Sequence, residues 1–463
     1  MLLRNCFLVG ALLVHNAQSD PSSPPTPPSP PTLPPPTTLV PDWVQLGDDI
    51  DGEMAEWSGS NVAISSNGGI VAIGSDNNGN DDGNVRVYSY NASATHWSQM
   101  GADISESKGQ GISISGDGSI LAIAAYWNHT TRPIRVFAWD GTTWVQRGSA
   151  ELYGSSISLS SDGQFLAIGI KGWNGNQGVA YTYEWNDATS EWIQNGNFSG
   201  IEGSTERCGF SVSLSDGGNM VAISSPGYES DTGRVRVFGR NASTWTQFGP
   251  DIVGVELLGE LLKMFGGSIS LSGDYTTMGS ESTTTLAVGI PNKHTPAGDD
   301  SGQVQVFRLE DVDGSPASMR WNLLGSAING GATNDHAGRA VSLSENGNTL
   351  GIGASWNENG YTRLYRFNGT TWTQLGSEIN GEDSLSNYDG SGFSVALSAD
   401  ATTVVIGAPF NREVEYDVEY ESYSSYDSHA HGHARVYRLY AVSPSTPHPS
   451  PPPPHSSDQD TAD

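Results

Sequence analysis

Between residues 42 and 441, apolar side chains come in short runs of four kinds, repeated in a fixed order. The first alternates apolar with small residues, as in Gly209-Phe210-Ser211-Val212-Ser213-Leu214-Ser215 and Phe393-Ser394-Val395-Ala396-Leu397-Ser398. The second is almost continuously apolar: Leu121-Ala122-Ile123, Leu166-Ala167-Ile168-Gly169, Val404-Val405-Ile406-Gly407. The third alternates apolar with polar, as in Val85-Arg86-Val87-Tyr88 and Val235-Arg236-Val237-Phe238. The fourth opens on tryptophan, as in Trp372-Thr373-Gln374-Leu375-Gly376. Alternation with period two marks a half-buried strand, and an unbroken apolar run bounded by turns marks a strand covered on both faces. Ser161-Asp162-Gly163 and Asn368-Gly369-Thr370 are turns of the kind that joins adjacent antiparallel strands.

The tryptophan piece occurs seven times, at Trp43, Trp97, Trp144, Trp192, Trp245, Trp321 and Trp372, with spacings of 54, 47, 48, 53, 76 and 51 residues. A strand-built period of about 50 residues points to a propeller or a solenoid. A four-stranded sheet that is apolar on both faces needs neighbours on both sides. Small residues in the first strand suit a crowded axis, and Trp and Tyr further out fill the space where sheets splay apart. Trp43 precedes any first strand, and the last unit has three strands with no tryptophan strand after it. The expected fold is therefore an all-β, seven-bladed β-propeller of four-stranded antiparallel blades. The amino-terminal strand would complete the last blade in a 3+1 closure, which removes two open sheet edges.

Phe265-Gly266, Gly209-Phe210 and Gly392-Phe393 stand ahead of first strands, and Gly407-Ala408-Pro409 follows a second strand. In this order the chain resembles the FG-GAP repeats of integrin-alpha-type propellers over residues 42–441. The resemblance implies an extracellular adhesion and ligand-binding module. That family's Asp-x-Asp-x-Asp-Gly calcium loops are absent: the corresponding turns read only Ser-x-Asp-Gly or similar.

The rest of the chain adds an extracellular setting. Arg4, the apolar run Phe7 to Val14 and small residues up to Ser19 read as a signal peptide, residues 1–19. Its removal takes away Cys6 and leaves Cys208 alone, so no intramolecular disulfide is expected. Residues 20–41 and 442–463 are proline-rich and are expected to be extended, disordered segments flanking the propeller. Five sequons begin at Asn91, Asn128, Asn197, Asn241 and Asn368. The formal net charge is −30, which repels nucleic acid and anionic membranes and sets both aside as partners. No segment beyond the amino terminus is long and apolar enough to span a bilayer. The expected location is secreted or extracellular, including attachment to a matrix or cell wall.

Several residues are candidates for chemistry. Loops after the second strand carry Trp127-Asn128, Trp173-Asn174 and Trp356-Asn357. An aromatic face packs on the C–H face of a sugar while an amide serves its hydroxyls; the alternative is that these rings cap the blades and the asparagines serve turns. Asp76, Asn78, Asp81 and Asp82 gather oxygen atoms in one loop and make Ca2+ the candidate cofactor, against the plainer reading of an acidic turn. His429, His431 and His433 alternate along an extended insertion, a spacing that can chelate zinc or copper, against that of an ordinary histidine-bearing loop. No Gly-x-Ser-x-Gly, His-Glu-x-x-His or phosphate-cradling loop is present. The sequence therefore favours a non-enzymatic recognition or adhesion propeller for an extracellular glycan or protein ligand. The alternative is a polysaccharide-processing enzyme, a glycoside hydrolase or lyase using acids at the loop-rich end.

Overall fold

The computed structural model describes residues 39–442 apart from 54–55, 77–82, 106–110, 125–132, 150, 242–243, 255–263, 274–283, 311–317, 357–358, 383–388 and 412–429. Seven antiparallel sheets form a closed ring of blades. In blade 1 the strands are Ser58–Ile64, Ile70–Ser75, Asn84–Asn91 and His96–Gln99, running from the axis outward. Blade 7 combines Ser394–Leu397, Thr403–Ala408 and His433–Val442 with the amino-terminal strand Val40–Gln45. Trp43 pairs with Leu439 and Asp42 with Tyr440, so the 3+1 closure is as the sequence pattern predicts. The inner strands touch in one unbroken circle, blade 7 against blade 1 included.

The inner-strand serines have a role beyond small size. The hydroxyls of Ser113, Ser158, Ser213, Ser270 and Ser342 accept the backbone N–H groups of Leu159, Leu214, Leu271, Leu343 and Leu397 in the following blade, at 2.9–3.0 Å. Each side chain thus substitutes for a backbone partner where the inner edges of adjacent sheets converge. Ala63 and Ala396 occupy the same place in blades 1 and 7 and cannot make this bond.

At the outer strand, each blade hooks the one before it. The indole N–H of Trp97 donates to the carbonyl of Leu46 (2.7 Å), that of Trp144 to Met100 (3.0 Å), that of Trp372 to Leu324 (2.8 Å), and that of Trp43 to Leu375 (2.8 Å). Trp192 and Trp321 do the same to Arg147 and Phe248. The carbonyl used belongs to the residue before the motif glycine. Gly376 has φ +75°, and a Cβ there would sit 2.7 Å from the Trp43 ring. The recurring Trp-x-Gln-x-Gly is therefore a contact between successive blades, with glycine supplying both the turn and the room for the indole. Trp245 is the exception, and its buried indole nitrogen has no hydrogen-bond partner. Blade 3, ahead of it, has an outer strand running unbroken over Glu191–Ser199 with a register shift at Thr182/Tyr183. There the backbone does not turn out at Gly196, and Trp245 packs edge-on against Phe198 instead.

Turns between first and second strands are closed by their own side chains. Asp400 Oδ1 accepts from the Ser398 hydroxyl (2.7 Å) and the Thr402 N–H (3.0 Å), while Ser398 accepts the Thr403 N–H. Asp117, Asp162, Asn67 and Asn346 repeat this arrangement. The turn acids are structural.

Candidate functional site

Strand direction fixes two ends. The turns after first and third strands share one; the loops after second and outer strands share the other, hereafter the loop end. Trp173 and Trp356 both lie at the loop end and are 41% and 53% exposed. They belong to blades 3 and 6, so the ring separates them. Asn174 sits at φ +49° and donates to Gln177 at 2.6 Å, which gives it a turn role. Trp356 packs on the His336 ring, with centroids 5.5 Å apart. Trp127, Asn128, Asn357, Asn78, Asp81, Asp82 and His429 lie outside the described residues. Asp76 directly follows the second strand of blade 1. Asn91, Asn241 and Asn368 are exposed at turns between third and outer strands, opposite the loop end, and Asn197 is exposed on the outer strand of blade 3. Cys208 is buried, and desolvation raises its thiol pKa.

The loop end is built around buried ion pairs. In blade 1, Arg86 is clamped by Glu56 (2.8 Å) and Asp103 (2.9 Å). Glu56 also accepts the Glu53 N–H. In blade 4, Arg234 is held by Glu206 (2.8 Å) and Asp251 (2.7 Å), and Glu206 accepts the Ile201 N–H. In blade 6, Asp335 accepts the Tyr361 hydroxyl (2.6 Å) and the N–H groups of Gly331 and Ala332, while Arg363 pairs with Glu378. One acid stands three residues before the glycine that opens the inner strand: Glu56, Glu206, Asp335 and, in blade 7, Asp389. The other stands two residues after the glycine of the tryptophan motif: Asp103, Asp251, Glu378 and Asp49. Both spacings are regular in the sequence, although hydrophobic periodicity does not reveal them. Each pair straddles the start of a third strand and ties both neighbouring loops to it.

Blade 7 keeps the positions and changes the chemistry. Its third strand begins His433-Ala434-Arg435, and the side chains at the first and third positions share a face. His433 is 1% exposed; burial first, then the Arg435 charge, hold its imidazole well below the usual pKa. Its Nδ1 lies 3.8 Å from Asp49 and its Nε2 3.7 Å from Asp389. Arg435 lies 3.5 Å from Asp389 and 3.8 Å from Glu382, looser than the clamps of blades 1 and 4. Burial raises the Asp389 pKa against the pull of Arg435, and burial raises that of Glu382 to about 7. The Asn411 amide donates to both, at 2.9 Å and 3.3 Å. Asp51, Asp49 and His433 offer ligand atoms within 4.8 Å of one another. Of the expected histidine trio, His433 is thus built into the blade and His431 is half-buried just before it. A separate cleft of about 460 Å³ at the opposite end is lined by Arg308, Asn348, Arg366, Phe367 and Asp400. Its Arg308 is engaged by Asn348 and the Phe367 ring.

The RRP9 WD40 repeats superpose with a TM-score of 0.51 at 11% identity, covering 87% of this chain and 99% of that one. Hydrazine synthase from Kuenenia stuttgartiensis (TM-score 0.46, 13% identity, 79% and 94% covered) is also similar. So is the periplasmic gluconolactonase PpgL of Pseudomonas aeruginosa (0.46, 14%, 70% and 85%). The likeness is one of fold. No protein-family model matches the chain, and no curated protein matches its sequence. Among the described residues no helix is long and apolar enough to cross a membrane.

Proposed function

We propose that the chain is a secreted, non-enzymatic recognition or adhesion propeller that binds an extracellular glycan or protein at its loop end. The observation that carries this reading is the division between the two ends. Exposed Trp173 and Trp356 stand at the loop end, while the sequon asparagines Asn91, Asn241 and Asn368 are exposed at the other. Glycans on those three asparagines would leave the loop end uncovered, whereas the sequon at Asn128 falls by sequence in a loop after a second strand. The clamps on Arg86, Arg234 and Arg363 hold the loops before binding, which lowers the entropic cost of association. The FG-GAP-like motifs, the amino-terminal signal and the proline-rich ends fit the same extracellular, matrix- or wall-associated role.

A polysaccharide-processing activity is the second reading, favoured by Glu382 and Asp389. These two carboxyls are bridged by one amide, both have raised pKa values, and Glu382 is at about 7, where a general acid works. Glycan and matrix-protein arrays run beside a reducing-sugar assay test both readings. Recognition is expected to give binding without product release, with Trp173→Ala or Trp356→Ala lowering affinity about tenfold for a lost aromatic contact. Product release abolished by Glu382→Gln would establish the enzyme instead.

A further inference from the structure

We propose that the seam of blade 7 is a binding site for a divalent transition-metal ion, zinc or manganese. Asp49 and Asp51 from the amino-terminal segment and His433 from the carboxy-terminal third strand would be its ligands. The inference goes beyond the recognition role and does not depend on it.

The comparison between blades carries it. In blades 1 and 4 the two acids close tightly on an arginine. In blade 7 the same positions hold Asp389 and Asp49; Glu382 adds a further carboxylate beside the Arg435 guanidinium, and Asp51 lies with Asp49 beside His433. Asp389 and Glu382 stand only loosely against Arg435, at 3.5 and 3.8 Å. Asp49 and Asp389 flank His433, at separations of 3.8 and 3.7 Å that are too long for hydrogen bonds. The imidazole is buried, and its Nε2 has no hydrogen-bond partner. Other blades put Asn84, Val179, Arg234, Gln303 or Tyr361 at this first position of the third strand, so the histidine is particular to the seam.

The geometry suits an ion on the Nδ1 side. A tetrahedral site with ligand distances of about 2.0–2.2 Å holds its donor atoms about 3.3–3.6 Å apart, so the Asp49–His433 gap needs only about a few tenths of an ångström of closure. With Nδ1 on the metal, the proton sits on Nε2 on the side of Asp389, 3.7 Å away, which would have to move closer to give the carboxylate support common for histidine ligands. Imidazole favours zinc in a tetrahedral site, and manganese only where water completes an octahedron around the carboxylates, over calcium, which prefers six to eight oxygens. Asp51 is exposed and gives the ion a route from solvent. Since Ile50–Asp51 pairs with His433–Ala434, ligands from the two ends of the propeller meet only when the ring is closed. Binding would therefore stabilise the closure itself.

The test uses the full chain, dialysed against a chelator and titrated with ZnCl2, MnCl2 and CaCl2 by calorimetry and by thermal melting. One zinc or manganese per chain is expected, with a raised melting midpoint and calcium at least tenfold weaker. Asp51→Asn and His433→Gln should each lower affinity at least tenfold. A His429→Ala, His431→Ala double variant should leave it unchanged. Failure of zinc and manganese to bind, unchanged affinity in Asp51→Asn, or loss of binding in the double variant overturns the proposal. Asp51 is solvent-exposed, so its variant decides the matter even if His433→Gln does not fold.

Discussion

Replacing Trp372, Trp97 and Trp245 one at a time by phenylalanine tests whether the indole N–H, rather than ring size alone, couples the blades. All three rings are partly buried on outer strands, so the loss of packing is similar at each, about 1 kcal/mol. The polar terms differ in sign. Trp372 and Trp97 donate to Leu324 and Leu46 at 2.8 and 2.7 Å, and their loss leaves a carbonyl unpaired, costing a further ~1–3 kcal/mol. Trp245 has a buried N–H without a partner, so its removal relieves a desolvation penalty that offsets the lost packing. Expected costs are about 2–4 kcal/mol for Trp372→Phe and Trp97→Phe, and within about 1 kcal/mol of wild type for Trp245→Phe. Equilibrium urea denaturation followed by far-ultraviolet circular dichroism reads these differences without depending on the substituted fluorophores. A Trp245→Phe cost equal to that of Trp372→Phe would show that the hydrogen bond contributes nothing and that only the shape of the motif matters.

Three further outcomes are expected. Glu206→Gln should destabilise the fold by about 3–5 kcal/mol in denaturant melts, because Arg234 is buried and would keep only Asp251. Ser213→Ala should cost about 1–3 kcal/mol by stranding the Leu271 N–H, whereas Ala63→Ser should be neutral to stabilising by restoring the acceptor that blade 1 lacks. Asp400 is pushed upward by burial but lowered further by hydrogen bonds from Ser398 and Thr402, so its folded pKa is depressed. The stability it contributes is present above its unfolded value of about 3.9 and is lost as pH falls through the lower folded value. Asp400→Asn, which copies Asn346 and Asn67, should match wild type at neutral pH and lose less stability below about pH 4 in pH-dependent melts.

Much of the architecture was legible in the residues, because each blade repeats the same local problem. The alternating and continuous apolar runs dictate strands, and the seven tryptophan motifs count the blades. The orphan strand at Trp43 forces closure onto the strand that holds Leu439. The turn glycines Gly163 and Gly369, read from their Ser-Asp-Gly and Asn-Gly-Thr settings, have φ of +64° and +101°. The site is a different matter. Glu56, Glu206, Asp335 and Asp389 stand at a fixed distance before a glycine, and Asp49, Asp103, Asp251 and Glu378 at a fixed distance after one, but nothing local says that both sets converge on one strand. The sequence placed His433 with His431 and His429, its chain neighbours. The tertiary structure sets it against Asp49 and Asp389 instead. Periodicity records which face of a strand is apolar, and that is a local property. Which charges meet depends on ring closure, which brings residues from opposite ends of the propeller to within a few ångströms and takes them out of water together.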